Sequence, residues 1–481
     1  MGMAEGAVKE SRDRVKSAIR HSGFKYPTSH IVINLAPSHL GKQGSGFDLP
    51  IAISILAASG QIPANALEQT EFIGELGLFG EIRKAQGALN IALACKASNH
   101  RLFIPWRNAD DVTLVSDADI WTATTLIDLA AFLCGNGANN VLKSTVSCNE
   151  TMARHSSIPS SNYAHIVGQE EAKRGLLLAA SGGHHMLMIG PPGAGKTLLA
   201  RSLAEILPNL SQEQMLEVAA IYGAGAITRK NLFSPPFRDP HHSASAIAII
   251  GGGRTPIPGE LTLAHHGVLF LDELPHFKPS TLDLLREPIE TGQAVIARTG
   301  YRVRFPCKFQ LVAAMNPCPA GLRCDEGNCR CSQGQVQRYQ SRVSGPLLDR
   351  IDIHFQVPPL DSAEMISATQ GQASASDGLR TLHQIRAKVD QARALQNTRQ
   401  GCLNSHLSGL QLNAVIQQSE VPQELLELAS RNLDMSMRSF YKTWRIARTI
   451  ADLAESTRVE KEHFLEALGY RSMNWSNLTG H

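Results

Sequence analysis

The stretch Gly190-Pro191-Pro192-Gly193-Ala194-Gly195-Lys196-Thr197 constrains this chain more than any other. It fits the pattern G-x-x-x-x-G-K-[ST], whose glycines let backbone N–H groups close around phosphate oxygens at a helix N-terminus. The apolar run from His185 to Ile189 reads as a short buried strand, and Leu198 to Leu207 as a helix. That strand–loop–helix order is the context the pattern requires. Lys196 is expected to reach the β- and γ-phosphates of ATP, and the Thr197 hydroxyl to hold Mg²⁺. By chance, the four fixed positions coincide in a chain of 481 residues only about 1–2% of the time.

The length leaves room for two to four domains. No run of apolar residues is long enough to span a membrane. The N-terminus Met1-Gly-Met-Ala-Glu-Gly-Ala lacks the basic and apolar regions of a signal peptide, so a cytoplasmic location is expected. The net charge is +3, from 46 basic and 43 acidic side chains. That balance confines any nucleic-acid site to a local patch. Nine cysteines, an odd number, argue against a disulfide framework.

The chain divides by composition. Residues 1–134 read as an α/β domain. It has an amphipathic helix over 8–22, a strand at Ile31–Leu35, a buried helix from Leu49 to Ala58, strands at Glu71–Leu78 and Leu102–Pro105, and a helix at Gly87–Ala97. Residues 135–163 have linker composition, rich in Gly, Asn, Ser and Thr. Residues 164–357 form the nucleotide domain, and 358–475 a helical domain.

A second half of the nucleotide site follows the first. His266 to Leu271 is an apolar strand that ends in Asp272-Glu273. Asp272 is placed to hold Mg²⁺, and Glu273 to act as the base on the attacking water. Phe309 to Met315 is another such strand. It ends in Asn316, which either orients that water or simply starts a turn before Pro317. Arg350, at the end of a short helix, is a candidate for stabilising charge on the transferring phosphoryl group from a neighbouring subunit. Arg438 opens a basic helix. On its stripe, Lys442 and Arg448 are expected to lie on a solvated face. Between Ile296 and Pro306, the residues around Thr299-Gly300 read as a β-hairpin. Arg298, Arg302, Arg304 and Lys308 make it basic. The alternatives for this segment are a DNA contact and an ordinary exposed hairpin.

These motifs, together with Phe237-Arg-Asp-Pro-His-His242-Ser, Gly251-Gly-Gly253, Pro258-Gly-Glu260 and Ala447-Arg-Thr-Ile-Ala-Asp-Leu453, resemble the ComM/YifB family. These are AAA+ ATPases similar to the magnesium-chelatase motor subunit and to MCM helicases. The resemblance implies an AAA+ core at 164–357, a C-terminal helical lid at 358–475 and a Lon-protease-like N-terminal domain. It implies ATP and Mg²⁺ as ligands. It also implies a homo-hexameric ring on single-stranded or branched DNA, and a helicase role in branch migration during transformation or homologous recombination. A chelatase-type or protein-remodelling motor is the alternative, and a Lon-like peptidase a further one.

By the same resemblance, Gly190 to Thr197 match the Walker A loop, Asp272 and Glu273 Walker B, and Asn316 sensor 1. Arg350 matches the trans-acting finger and Arg438 sensor 2. Ile166 and Val167 lie where such ATPases contact adenine. MCM-like motors project a hairpin like the basic one into the ring channel, and the Gly251–Arg254 loop is its companion. In the N-terminal part, Gly46 falls where a Lon protease carries its serine, and Leu89 where its lysine lies, with Ser45 and Lys84 nearby. The chain begins inside the family's pattern, so an incomplete N-terminal sheet is expected. Cys318, Cys324, Cys329 and Cys331 follow sensor 1. They are either a closed structural Zn²⁺ site or reduced thiols. Relatives that carry cysteines there continue Asn-Pro-Cys-Pro with Cys-Gly, where this chain has Ala320-Gly321.

Overall fold

The computed structural model describes residues 6–35, 46–137, 140–143, 162–225, 227, 229, 231–253, 256–298, 301–321, 331–359, 375–432 and 435–471. The chain forms two units: Met1–Ser157 with Gln212–Asn231, and Ile158–Ser211 with Leu232–His481.

The first unit is built on a four-stranded sheet in the order β1 (Thr70–Phe72), β4 (Arg101–Pro105), β5 (Ile120–Ala123), β6 (Val141–Lys143). The first three strands are parallel, and β6 is antiparallel to β5. A small antiparallel hairpin pairs β2 (Glu75–Leu76) with β3 (Ile82–Arg83). The helix Asp48–Ala58 is apolar on nearly every side and mostly buried, with Ser54 and Ala58 exposed. It shares a core with Ile19 of the helix Gly6–His21 and with Phe103 of β4. Asp48 is the exception within that core. Its buried carboxylate accepts hydrogen bonds from Ser11 and, at 2.9 Å, from Arg14.

Two expectations change here. Ile31–Leu35 forms no strand. Val32 is 75% exposed, and no neighbouring strand pairs with this apolar run among the described residues. Val141–Lys143 lies within the stretch of linker composition, yet it extends the sheet through Trp121–Ala123.

The second unit holds a five-stranded sheet in the order β15 (Ile353–Gln356), β7 (Met186–Ile189), β14 (Gln310–Met315), β11 (Val268–Leu271), β8 (Phe237–Arg238), with every pairing parallel. A parallel sheet is covered on both faces, so its strands are continuously apolar. Strand alternation divides them between two cores. Met186, Met188, Val268 and Phe270 face one core, and Leu187, Ile189, Leu269 and Leu271 the other. The first core also takes in Leu382, Val389, Trp444, Ile450 and Phe464 from the helices Ala375–Gln400, Met437–Leu453 and Lys461–Gly469. The helical domain and the strand beneath the phosphate loop therefore share one hydrophobic interior. Two antiparallel hairpins accompany this sheet: β9 (Gly251–Gly252) with β10 (Ile257–Pro258), and β12 (Gln293–Arg298) with β13 (Tyr301–Pro306).

The basic stripe on Met437–Leu453 is not a solvated face. Lys442 is 5% exposed and Arg448 is 4% exposed. Lys442 Nζ lies 2.8 Å from Asp352. Arg448 donates to Asp452 Oδ1 at 3.0 and 2.6 Å and to the carbonyls of Ser456 and Thr457, which ties the loop after the helix back onto it. Spacing put these cations on one side of a helix. It gave no sign that the buried Asp352 faces Lys442. No helix among the described residues is long and apolar enough to cross a membrane.

Candidate nucleotide site

The phosphate loop leaves β7 at the C-terminal edge of the parallel sheet, where such sheets bind ligands. Its glycines are required by geometry. A Cβ on Gly190 would lie 2.3 Å from the Val357 carbonyl, and Gly193 and Gly195 have φ of 78° and 82°. Gln169 braces the loop by donating to the Ala194 carbonyl at 2.8 Å. The helix Lys196–Ile206 begins directly after it. Lys196 is 8% exposed. It donates to the carbonyls of Gly190 (2.8 Å) and Pro191 (2.9 Å) and to Asn316 Oδ1 (3.1 Å). Burial lowers its pKa against the opposing pull of Asp272 and Glu273.

Thr197 Oγ1 donates to Asp272 Oδ2 at 3.0 Å. A hydroxyl oxygen beside a carboxylate is the hard-oxygen donor set that suits Mg²⁺, so the residues fit that ion. Asp272 Oδ1 accepts the Glu273 amide at 2.8 Å, and Glu273 has φ of 52°. A left-handed conformation at a non-glycine residue is uncommon and clusters at functional sites. The Glu273 carboxylate lies 3.1 Å from His242 Nδ1, and His242 in turn packs on His241 and His276. Lys196 with Asn316, and Thr197 with Asp272 and Glu273, therefore form two bonded sets that adjoin at the Lys196–Thr197 peptide.

Arg350 and Arg438 stand in another. Both guanidiniums meet Oε1 of Glu290, Arg350 at 3.0 Å. Among the described residues, no hydrogen bond or ion pair joins this group to the phosphate-loop group. In the β12–β13 hairpin, Arg302 pairs with Ala297 and Arg304 with Val295. Both arginines are exposed, and their alternate spacing sets them on one face. Arg298 pairs with Tyr301 next to the tip, and its side chain lies outside the described residues.

Three family models match successive parts of the chain. Magnesium chelatase, subunit ChlI, covers residues 162–365, its C-terminal model covers 380–471, and subunit ChlI of Mg-chelatase covers 1–108. Competence protein ComM of Haemophilus influenzae is 41% identical over 98% of this chain and 91% of its own length. The chain belongs to the ComM/YifB family. YifB of Escherichia coli, an uncharacterized protein, is 42% identical with the same coverage. The magnesium-chelatase 38 kDa subunit of Rhodobacter capsulatus is 29% identical over 34% of this chain and 51% of that one. The fold is accordingly that of a magnesium-chelatase-like AAA+ protein, and the family implies ATP with Mg²⁺ as ligand.

Within this ComM/YifB frame the remaining positions fall as follows. Ile166 is buried in the core with Tyr163, and Val167 is half-buried. Cys318 is buried and Cys331 half-buried, while Cys324 and Cys329 lie outside the described residues. In the N-terminal domain Ser45 also lies outside them. Lys84 donates to Asp111 at 3.1 Å, and Gly46 sits beside Ile73 and Ala85. The partners His242 of Glu273 and Glu290 of the arginines were not singled out from sequence. His242 stands within a quoted motif, but nothing local points it at Glu273. Glu290 sits on an ordinary short helix with no signature.

Proposed function

We propose that this chain is the subunit of a homo-hexameric ring ATPase that moves on DNA, a helicase promoting branch migration in transformation or recombination. The observation that carries the DNA reading is the pair of exposed arginines, Arg302 and Arg304, on one face of a hairpin. Six copies around a channel make a strongly basic lining from a nearly neutral subunit. A relative named competence protein ComM, matched along almost the whole chain, supports the same reading. The match of Arg350 to the trans-acting finger of the family supports completion of each site by a neighbouring subunit.

Within the site, Lys196 and the loop amides bind the phosphates, and Asn316 orients the attacking water. Glu273 takes that water's proton, held in place by His242. Arg350 of the next subunit stabilises the charge that builds on the transferring group. Mg²⁺, when bound by Thr197 and Asp272, draws charge from the phosphate oxygens.

The test is ATP hydrolysis with and without single-stranded or forked DNA across a salt series. DNA is expected to stimulate the parent, and the stimulation to weaken steeply with salt as counterion release becomes less favourable. In the double variant Arg302→Ala/Arg304→Ala the ratio of stimulated to basal rate is expected to fall towards one. Absence of any DNA response at low salt would move the assignment to a chelatase-type or protein-remodelling motor. The partial match to a magnesium-chelatase subunit favours that second reading.

A further inference from the structure

Glu290 ties two parts of the machine that are distant in sequence. Its carboxylate meets both Arg350 and Arg438, while Arg350 also donates to the Arg286 carbonyl at 3.1 Å and the Pro346 carbonyl at 2.6 Å. Arg350 is therefore fixed on its own subunit through Nε, Nη1 and Nη2. Burial tends to raise the Glu290 carboxyl, but the hydrogen bond from Arg438 and the charge of Arg350 prevail and hold it below its ordinary value.

The helix that carries Glu290, Arg286–Thr291, runs directly into β12 of the basic hairpin. The junction is tight. Gly292 N donates to the Pro288 carbonyl at 2.9 Å, and Cys307 N, just past β13, donates to the Gly292 carbonyl at 2.8 Å. The Thr291 hydroxyl lies 2.9 Å from the Glu287 carbonyl and 3.2 Å from that of Gln293. These bonds connect the end of the Glu290 helix to the base of the hairpin.

We propose that Glu290 is a latch that holds the two arginines in the resting subunit and couples their release to the basic hairpin. The proposal rests on the reading of Arg350 as a group supplied to the neighbouring site. A phosphate in that site competes with Glu290 for both guanidiniums. When they leave, the helix loses its two cationic partners, and the hairpin base loses an anchor. By linkage, DNA that loads the hairpin favours release of the arginines. Glu290 touches neither phosphate nor DNA, so it is a positioning residue.

The test uses the full chain with Glu290→Gln, which keeps the shape and removes the charge. Hydrolysis is measured with and without a single-stranded oligonucleotide. The basal rate is expected to rise by about fivefold or more, and the stimulated-to-basal ratio to fall by a similar factor, because release no longer needs DNA. A carboxylate with only a structural role would lower both rates together and leave the ratio unchanged, and that result would overturn the latch. Glu290→Asp, which keeps the charge but withdraws it by one methylene, is expected to shift the ratio in the same direction and stands in if the glutamine variant fails to fold. Arg350→Ala, measured alongside, separates the two readings. If it hydrolyses ATP at the parent rate, the trans-acting role fails. If it is inactive while Glu290→Gln keeps the parent ratio, only the latch fails.

Discussion

Replacement of Lys196 by alanine is expected to lower ATP hydrolysis by about 10²–10³-fold, the usual cost of removing one preorganised charge-stabilising donor. Its ammonium is buried among the Gly190 and Pro191 carbonyls and the Asn316 amide oxygen. Those three acceptors already converge on the place where phosphate oxygens would add negative charge. Without the ammonium they repel the nucleotide, and the loop retains only its amides to bind it. Both nucleotide affinity and turnover should therefore fall, measured by a fluorescent ATP analogue and by phosphate release. The lowered pKa of Lys196 comes from burial, and Asp272 and Glu273 oppose it, so the ammonium depends on its polar partners. A Lys196→Ala variant that hydrolyses ATP at the parent rate would remove the loop from the chemistry.

The second large effect is on stability. Lys442→Met is expected to destabilise the second unit by about 3–5 kcal/mol, because it leaves the buried Asp352 carboxylate without its cation. Asp352 and Lys442 are both buried, and His184 Nδ1 lies 3.3 Å from the same carboxylate. His184 Nε2 in turn pairs with Thr449 at 2.8 Å, so the network joins the strand beneath the phosphate loop to the basic helix. The double variant Asp352→Leu/Lys442→Met should lie closer to the parent than either single variant, since an apolar pair carries no desolvation cost. Denaturation followed by the fluorescence of buried Trp444 measures this. Equal stability of parent and Lys442→Met would show that the pair contributes nothing.

The same network sets an acid limit. Burial raises the Asp352 carboxyl, but Lys442 and the hydrogen-bonded His184 outweigh it and hold the group well below the ordinary value of 3.8. A carboxyl depressed on folding contributes stability that is complete above its unfolded pKa and is lost as pH falls through the folded one. Burial also brings His354 down from 6.5 to about 3. The unfolded chain therefore takes up that proton first, and stability declines from about pH 6.5 downward. The difference between parent and Lys442→Met should persist at neutral pH and shrink once Asp352 is protonated.

Much of the candidate site was legible because its parts are local. A phosphate loop needs glycine where φ is positive, a lysine and a hydroxyl at fixed offsets, and a strand before it, all within a dozen residues. Asp272, Glu273 and Asn316 end apolar strands, and parallel pairing brings such ends together. The contacts that cross long sequence distances were not legible. Periodicity placed Lys442 and Arg448 on one helix stripe but gave no sign of Asp352 opposite Lys442; the Arg448–Asp452 pair, four residues apart on one helix, is the local exception. His242 at Glu273 and Glu290 at the two arginines are long-range pairings of ordinary residues. Ile31–Leu35 shows the converse: its composition suits a strand, but a strand also needs a neighbour to bond to.

We propose that one subunit supplies the loop and its neighbour the arginine. The most direct measurement mixes Lys196→Ala protein with Arg350→Ala protein. Each alone is expected to be inactive. Mixed rings contain interfaces with an intact Lys196 facing an intact Arg350, so the mixture should regain part of the parent ATPase rate, with a maximum near equal proportions. A mixture as inactive as its components at every ratio, with subunit exchange confirmed by a labelled chain, would contradict the account.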